Sequence, residues 1–215
     1  MTAPVSPRTR LRRIPKRGFH DRPTIDAILD AGMVCHLGFV DGEQPFVVPT
    51  LHARLGDEVL LHGSSASRAL RTLAAGAPLC LTVTLVDGLV LARSAFHHSV
   101  NYRSVVLLGR ARLVESRDEK ERALEAFTEK LVPGRWEHVR RPSAKELKAT
   151  KVLAVPIDEA SAKVRTGPPV DDEEDYALDA WAGVLPLAQR FGAPEPDPRL
   201  RAGIPVPEHV AHLAG

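Results

Sequence analysis

Cysteine is scarce in this sequence, with only two among 215 residues. Cys35 and Cys80 each stand within an apolar, strand-like run, which predicts buried and reduced thiols. So few cysteines give no basis for a disulfide-stapled scaffold or for a cysteine-ligated zinc site. The remaining composition, 44% hydrophobic and 26% charged, is that of an ordinary globular protein.

Long apolar runs and a strong net charge are missing as well. No stretch approaches the roughly 20 apolar residues that cross a bilayer, and the basic start leads into no secretory signal. We therefore predict a cytoplasmic protein without membrane contact. The net charge of +2 is too small to indicate nucleic-acid binding.

Several site signatures are absent too. The sequence contains no GxGxxG, GxxxxGKS/T or GxSxG motif, which argues against Rossmann, P-loop and α/β-hydrolase chemistry. It has no HExxH motif, and neighbouring histidines on a strand point to opposite faces, so we predict no metal site. The histidines weighed as ligands are His36, His52, His62, His97 and His98.

Charge and proline divide the chain into three parts. Residues 1–20 form a basic, flexible arm, residues 21–165 form the domain, and residues 166–215 form a proline-rich extension. An acidic run, Asp171–Asp175, lies in the extension. Arm and acidic run are expected to be solvated, the alternative being that the arm contacts the acidic run or an anionic partner.

Short apolar runs joined by tight turns dominate residues 21–165. Asp41-Gly42 predicts a hairpin between Val34–Val40 and Pro45–Arg54, and Asp87-Gly88 predicts a second turn. Thr24 is predicted to cap a first helix, and further helices are expected over Ala66–Ala75 and Glu119–Leu131. The pattern predicts a mainly β (α+β) fold with six or seven antiparallel strands and a few peripheral helices.

Two segments could bind a ligand. The first, residues 62–70, passes from a strand into a helix and carries Ser64, Ser67 and Arg68, which suit a phosphate. Its alternative is that Ser65 caps the helix and Arg68 faces water. The second, residues 96–105, combines polar, aromatic and cationic side chains that can contact a flat heteroaromatic ring, its alternative being a polar loop before an edge strand.

Four stretches resemble the pyridoxamine 5′-phosphate oxidase-like, FMN-binding split β-barrels, namely Val34–Val40, Pro45–Leu51, Val59–Leu73 and Ser99–Leu113. The most specific part is the string Asn101-Tyr102-Arg103-Ser104-Val105, followed by Gly109. The similarity is greatest to the branch with the nitroimidazole-resistance (Nim) proteins. It covers residues 22–165 and departs from true pyridoxamine phosphate oxidases at Ser67-Arg68, where those enzymes carry an Arg-Lys pair. Pyridoxamine phosphate oxidation is therefore not expected.

The resemblance implies a homodimer with two shared FMN sites and a small-molecule substrate, aromatic or nitro-bearing. FMN is the cofactor it implies, with F420 and haem as alternatives. A non-catalytic flavin- or haem-binding storage or sensor protein is the alternative function. His98 and Tyr102 are the candidate proton donors. The implied cofactor-binding residues are Val48, Pro49, Thr50, His62, Ser64, Ser67, Arg68, Asn101, Tyr102, Arg103 and Ser104.

Overall fold

A computed structural model describes residues 6–214. Eleven strands form two antiparallel sheets in this part of the chain, which confirms the predicted mainly β architecture. The strands are β1 (Gly18–Phe19), β2 (Val34–Asp41), β3 (Gln44–Leu51), β4 (Ala53–Leu55), β5 (Glu58–Ser64), β6 (Pro78–Leu91), β7 (Ser99–Arg110), β8 (Arg112–Leu113), β9 (Thr150–Pro156), β10 (Glu159–Arg165) and β11 (Gly183–Pro186).

The larger sheet has the strand order β1-β10-β7-β6-β2-β3, and β11 adds to β6 beyond that path. The smaller sheet has the order β4-β5-β9-β8. Strand β3 therefore lies at an edge of the larger sheet, two strands away from β6 and three from β7.

Two Asp-Gly pairs behave differently. Asp41 pairs with Gln44 around Gly42, whose φ of 62° suits a tight hairpin, so the first predicted turn is confirmed. The turn predicted at Asp87-Gly88 is wrong, because β6 runs straight through it with a bulge between Val86 and Gly88. A Cβ on Gly88 would lie 2.9 Å from the Leu185 carbonyl oxygen, so glycine here permits the close approach of β11.

Five α-helices are present among residues 6–214: α1 (Arg22–Ala31), α2 (Arg68–Ala74), α3 (Arg117–Leu131), α4 (Ala144–Ala149) and α5 (Glu208–Ala211). Helix α1 starts earlier than predicted. Its cap is Asp21, whose carboxylate accepts from the Thr24 backbone N–H at 3.0 Å and from the Thr24 hydroxyl at 2.6 Å. Thr24 is thus the donor to the cap and not the cap itself.

The main core lies between the two sheets. Alternate side chains of β2, β6 and β7 point inward and meet those of β5 and β9, with α1 and α2 adding leucines and isoleucines. Leu61, Leu81 and Leu107 are fully buried there, and each contributes about 1.5–3 kcal/mol of hydrophobic stabilisation. A second core on the opposite face of the smaller sheet packs Leu60 and Val152 against Phe127 of α3.

The chain ends contact the domain in ways that the sequence did not predict. Gly18–Phe19 pairs with β10, and the C-terminal strand β11 pairs with β6. Residues 1–5 of the predicted arm lie outside the described residues. Within the acidic run, Asp171 is buried and ion-paired with Arg93, and so is not solvated as expected. None of the described helices has the length and apolar character needed to span a membrane.

Candidate functional site

The segment between β5 and α2 uses most of its backbone donors internally. Ser65 N–H donates to the Ala149 carbonyl and Ser67 N–H to the Ser64 carbonyl, both at 2.9 Å. Ala66 N–H donates to the Ser64 hydroxyl, and Leu70 N–H donates to the Ser67 hydroxyl, which makes Ser67 the cap of α2. An anion here would consequently depend on side-chain cations more than on free backbone N–H groups.

Arg68 supplies such a cation beside the edge strand. Its guanidinium carbon lies over the Phe46 ring, 4.0 Å from the centroid, which is within cation–π distance. Arg68 and Arg71 line one cavity of about 700 Å³, with Asp41 as the carboxylate in its wall. We call this space the arginine cavity. Its two cations outnumber its one anion, which favours a negatively charged group.

His62 points elsewhere. On β5 the side chain of Leu61 faces the main core, and a Cβ on Gly63 would point toward Leu70 in the same core. His62, between them, therefore faces the second core, where its ring centroid lies 4.1 Å from that of Phe127. It lines a separate cavity of about 660 Å³, the His62 cavity, together with residues of α3 and of the segment that follows it. Burial lowers the pKa of His62, which favours a neutral imidazole. The structure therefore does not bring His62 into the arginine cavity.

The predicted ring contacts on β3 divide between two faces. Val48 and Thr50 pair with Leu37 and Cys35 on the inward face, whereas Pro49 pairs with His36 on the outward face. Val48 remains partly exposed because β3 has no strand on its other side.

Residues 101–104 of β7 also divide by alternation. Asn101 is buried and donates to the Gly167 carbonyl at 3.2 Å, while its own oxygen accepts from Arg165. Arg103 forms a two-point ion pair with Asp87, at 2.9 and 2.7 Å, and this pairing raises the pKa of Arg103. Both side chains thus stabilise the strand ends within one chain.

Tyr102 and Ser104 lie on the outward face of the larger sheet, the same face as Pro49. Ser104 donates to the Lys163 carbonyl at 3.3 Å. Between Pro49 and Tyr102 stand strands β2 and β6, a separation of about 14 Å at the usual strand spacing. The two predicted contact segments are consequently on one face but not adjacent in one chain.

The other proton-donor candidate, His98, lies in the loop before β7. Its Nδ1–H donates to the Ser94 carbonyl at 2.9 Å. In the same loop, Phe96 is 88% exposed and His97 contacts Asp172 at 3.2 Å. The loop therefore presents an aromatic side chain and an imidazole outward.

The model of the pyridoxamine 5′-phosphate oxidase family matches residues 21–164, which is more than half of the chain. The chain belongs to this family. A comparison with curated proteins finds no match. Among solved structures, the chain is 46% identical to the flavocytochrome Anf3 from Azotobacter vinelandii, with a TM-score of 0.93 and all of both chains covered.

Two further structures extend the comparison. The FAD and heme binding protein from Mycobacterium smegmatis is 39% identical, with a TM-score of 0.89 over 93% of this chain and 98% of that one. A candidate 5-nitroimidazole antibiotic resistance protein from Bacteroides thetaiotaomicron is 24% identical, with a TM-score of 0.59 over 68% of this chain and 86% of that one. This last similarity shows the fold alone.

Sequence reasoning missed several residues of this pyridoxamine 5′-phosphate oxidase family member. Arg71, one turn after Arg68, was available from helical spacing. Trp136, an aromatic residue that lines the His62 cavity, could not be identified from a local sequence pattern because it lies in an irregular segment after α3. The partner of Asp171, Arg93, lies 78 residues away and could not be found from sequence pattern.

Proposed function

We propose that this protein is a flavin-binding redox protein that acts as a homodimer and carries a haem as its second redox group. The observation that carries the flavin assignment is the placement of Arg68 over Phe46. It joins the arginine cavity to the exposed edge of β3. A flavin needs that combination, because its phosphate is anionic and its ring is flat and largely apolar.

The residues that line the arginine cavity and the edge strand β3 fit a flavin. Arg68 and Arg71 would hold phosphate by charge, and the stretch after Phe46, with Val47 and Pro49 outward, would contact the ring. A flavin supplies hydride or single-electron transfer when bound, and the protein supplies orientation and electrostatics. Tyr102 is the proton donor that we favour over His98, since it lies on the outward face with Pro49.

Of the flavins, we propose FAD over the FMN expected from the sequence. The FMN expectation depended on a single evident cation, whereas Arg71 adds a second one in the same cavity. FAD carries two phosphates, and the 39% identical protein is described as binding it. Mass analysis of the cofactor released from purified protein tests this, and FMN or F420 as the released molecule would contradict it.

A homodimer is supported by the outward face of the larger sheet. Val34, Val40, Val47 and Val86 are exposed on it, and several exposed apolar side chains on one sheet face favour an interface. Two copies related by a two-fold axis could place Tyr102 of one chain near Pro49 of the other, which one chain cannot do.

An absorption spectrum of the purified protein is the first experiment. We expect flavin bands together with a haem Soret band, and a protein that takes up neither group would refute the proposal. An enzyme is separated from a storage or sensor protein by adding NADH or NADPH and then a nitroaromatic compound. Rapid bleaching followed by catalytic reoxidation supports an oxidoreductase.

A further inference from the structure

We propose that the His62 cavity is the haem site and that His62 binds the haem iron. This inference takes the haem from the proposed function and adds its place in the fold and its ligand. The cavity lies on the side of β5 that faces α3, away from the arginine cavity. The two redox groups would therefore occupy opposite faces of the β5–α2 connection.

The cavity has the size and walls that a porphyrin requires. Its volume of about 660 Å³ falls in the usual range for cofactor pockets. Most of the lining side chains are apolar, and two are aromatic. The apolar and aromatic walls come from Leu124, Phe127, Leu131, Val132, Trp136, Val139 and Pro142.

His62 supplies an imidazole with an available nitrogen. Neither ring nitrogen hydrogen-bonds to any of the described residues, and since Nδ1 is buried, Nε2 is the nitrogen open to the cavity. Histidine is the proximal ligand of haem iron in globins and peroxidases. The ring of Phe127, 4.1 Å away, restricts the orientation of the imidazole.

Two other histidines, His52 and His209, are less suited. His52 is 1% exposed, and its Nε2 already contacts the Leu29 carbonyl and the Lys130 ammonium. His209 stacks on His138 with ring centroids 4.4 Å apart, and neither residue lines the His62 cavity.

Charge at the cavity mouth suits the haem propionates. Two arginines line the cavity, and Arg140 is already paired with Glu146 at 2.6 Å. Arg135 forms no ion pair with any of the described residues. We therefore assign Arg135 as the propionate partner.

The test uses the full-length protein, titrated with haemin and followed by absorption and electron paramagnetic resonance. We expect His62→Ala to lose the wild-type ferric spectrum, and added imidazole to restore it. His209→Ala serves as the matched control and should keep the wild-type spectrum. Arg135→Leu should weaken haemin binding roughly ten- to a hundredfold, the expected loss of one charge-assisted contact.

A second variant covers the case in which His62→Ala does not fold. Leu131→Trp leaves His62 in place but fills the cavity, and it should also abolish haemin binding. Wild-type haem spectra in folded His62→Ala, or in folded Leu131→Trp, would overturn the site. If the wild-type protein itself binds no haemin, the haem part of the proposed function is wrong and the site proposal is overturned with it. If the wild type binds haemin but the variants bind it unchanged, only the site proposal is wrong.

Discussion

The guanidinium carbon of Arg68 lies 4.0 Å from the centroid of the Phe46 ring and so couples helix α2 to the edge strand β3. Without this contact the cation would be one more solvated arginine at a helix start. With it, a positive charge is held where an exposed apolar strand begins. The start of α2 and strand β3, which are separate segments in the sequence, thereby form one candidate flavin site.

Removing Arg68 tests that site directly. Arg68→Ala should weaken flavin binding roughly ten- to a hundredfold, the expected loss of a charge-assisted contact to phosphate. The fold should persist because Arg68 is exposed. Arg117→Ala is the matched control, since Arg117 is an exposed cation on α3 that pairs, among residues 6–214, only with Glu121 at 3.0 Å. Equal flavin affinity in both variants, measured by fluorescence titration, would count against the arginine cavity.

Disrupting the outward sheet face tests the homodimer. Val47 is 69% exposed, so Val47→Glu should leave the unfolding temperature of a single chain almost unchanged. In an apolar interface the buried carboxylate would be costly, and the variant should sediment as a monomer and lose flavin with the partner chain. Val170→Glu is the control, because Val170 is 73% exposed but lies outside the sheet. A Val47→Glu monomer with stoichiometric flavin would rule out a shared site.

The predictable part of this fold is the local part. Alternation and the Asp41-Gly42 pair specify the β2–β3 hairpin without reference to distant residues. The Asp87-Gly88 pair predicts a turn by the same local pattern. In the structure, however, Gly88 allows the close approach of β11, a strand formed by residues 183–186. That pairing depends on a contact across about a hundred residues, which no local pattern encodes.

In the candidate sites, too, local features were predictable from the sequence and long-range contacts were not. Alternation along β5 could have separated His62 from the main core, since Leu61 and Gly63 bracket it. The cavity that His62 enters could not be foreseen, because its other walls follow α3 and fold back from residues 131–142. Likewise, Arg103 was expected to face a cofactor, but whether Asp87 would reach it depended on the bulge in β6.

Asp171 anchors the C-terminal extension to the loop before β7. Its buried carboxylate accepts from Arg93 N–H at 3.0 Å, from Arg93 Nη1 at 3.1 Å and from Ser94 N–H at 3.4 Å. Burial alone would raise the pKa of Asp171, but these hydrogen bonds outweigh it and hold the pKa below its usual value. The carboxylate form is therefore the anchoring form.

We expect Asp171→Asn to loosen both segments that this carboxylate joins. Limited proteolysis should cut residues 93–98 and 166–182 several-fold faster than in the wild type, because local opening becomes easier. Asp172→Asn is the control, since Asp172 is exposed and its carboxylate forms a hydrogen bond or ion pair only with His97 among the described residues. Identical cleavage rates in the two variants would show that the Asp171 contacts do not hold the extension.

His52 gives the protein a predictable dependence of stability on pH. It lies buried beside Lys130, whose ammonium lies 3.1 Å from His52 Nε2 and donates to the Leu29 carbonyl at 2.8 Å. Burial, reinforced by the Lys130 charge, lowers the pKa of His52 from 6.5 to about 4. The imidazole is therefore neutral in the folded state under conditions where the unfolded chain is protonated.

The sign of the effect follows from the proton count. Between pH 6.5 and about 4 the unfolded state binds the extra proton, so the free energy of unfolding falls as pH falls. The His52 share of that fall should approach about 3 kcal/mol. Urea unfolding at several pH values should show a shallower decline for His52→Gln than for wild type. Lys130→Met should also flatten the curve, because removing the neighbouring charge lets His52 accept a proton nearer its ordinary pKa. Parallel curves for all three proteins would show that His52 is not the group that titrates.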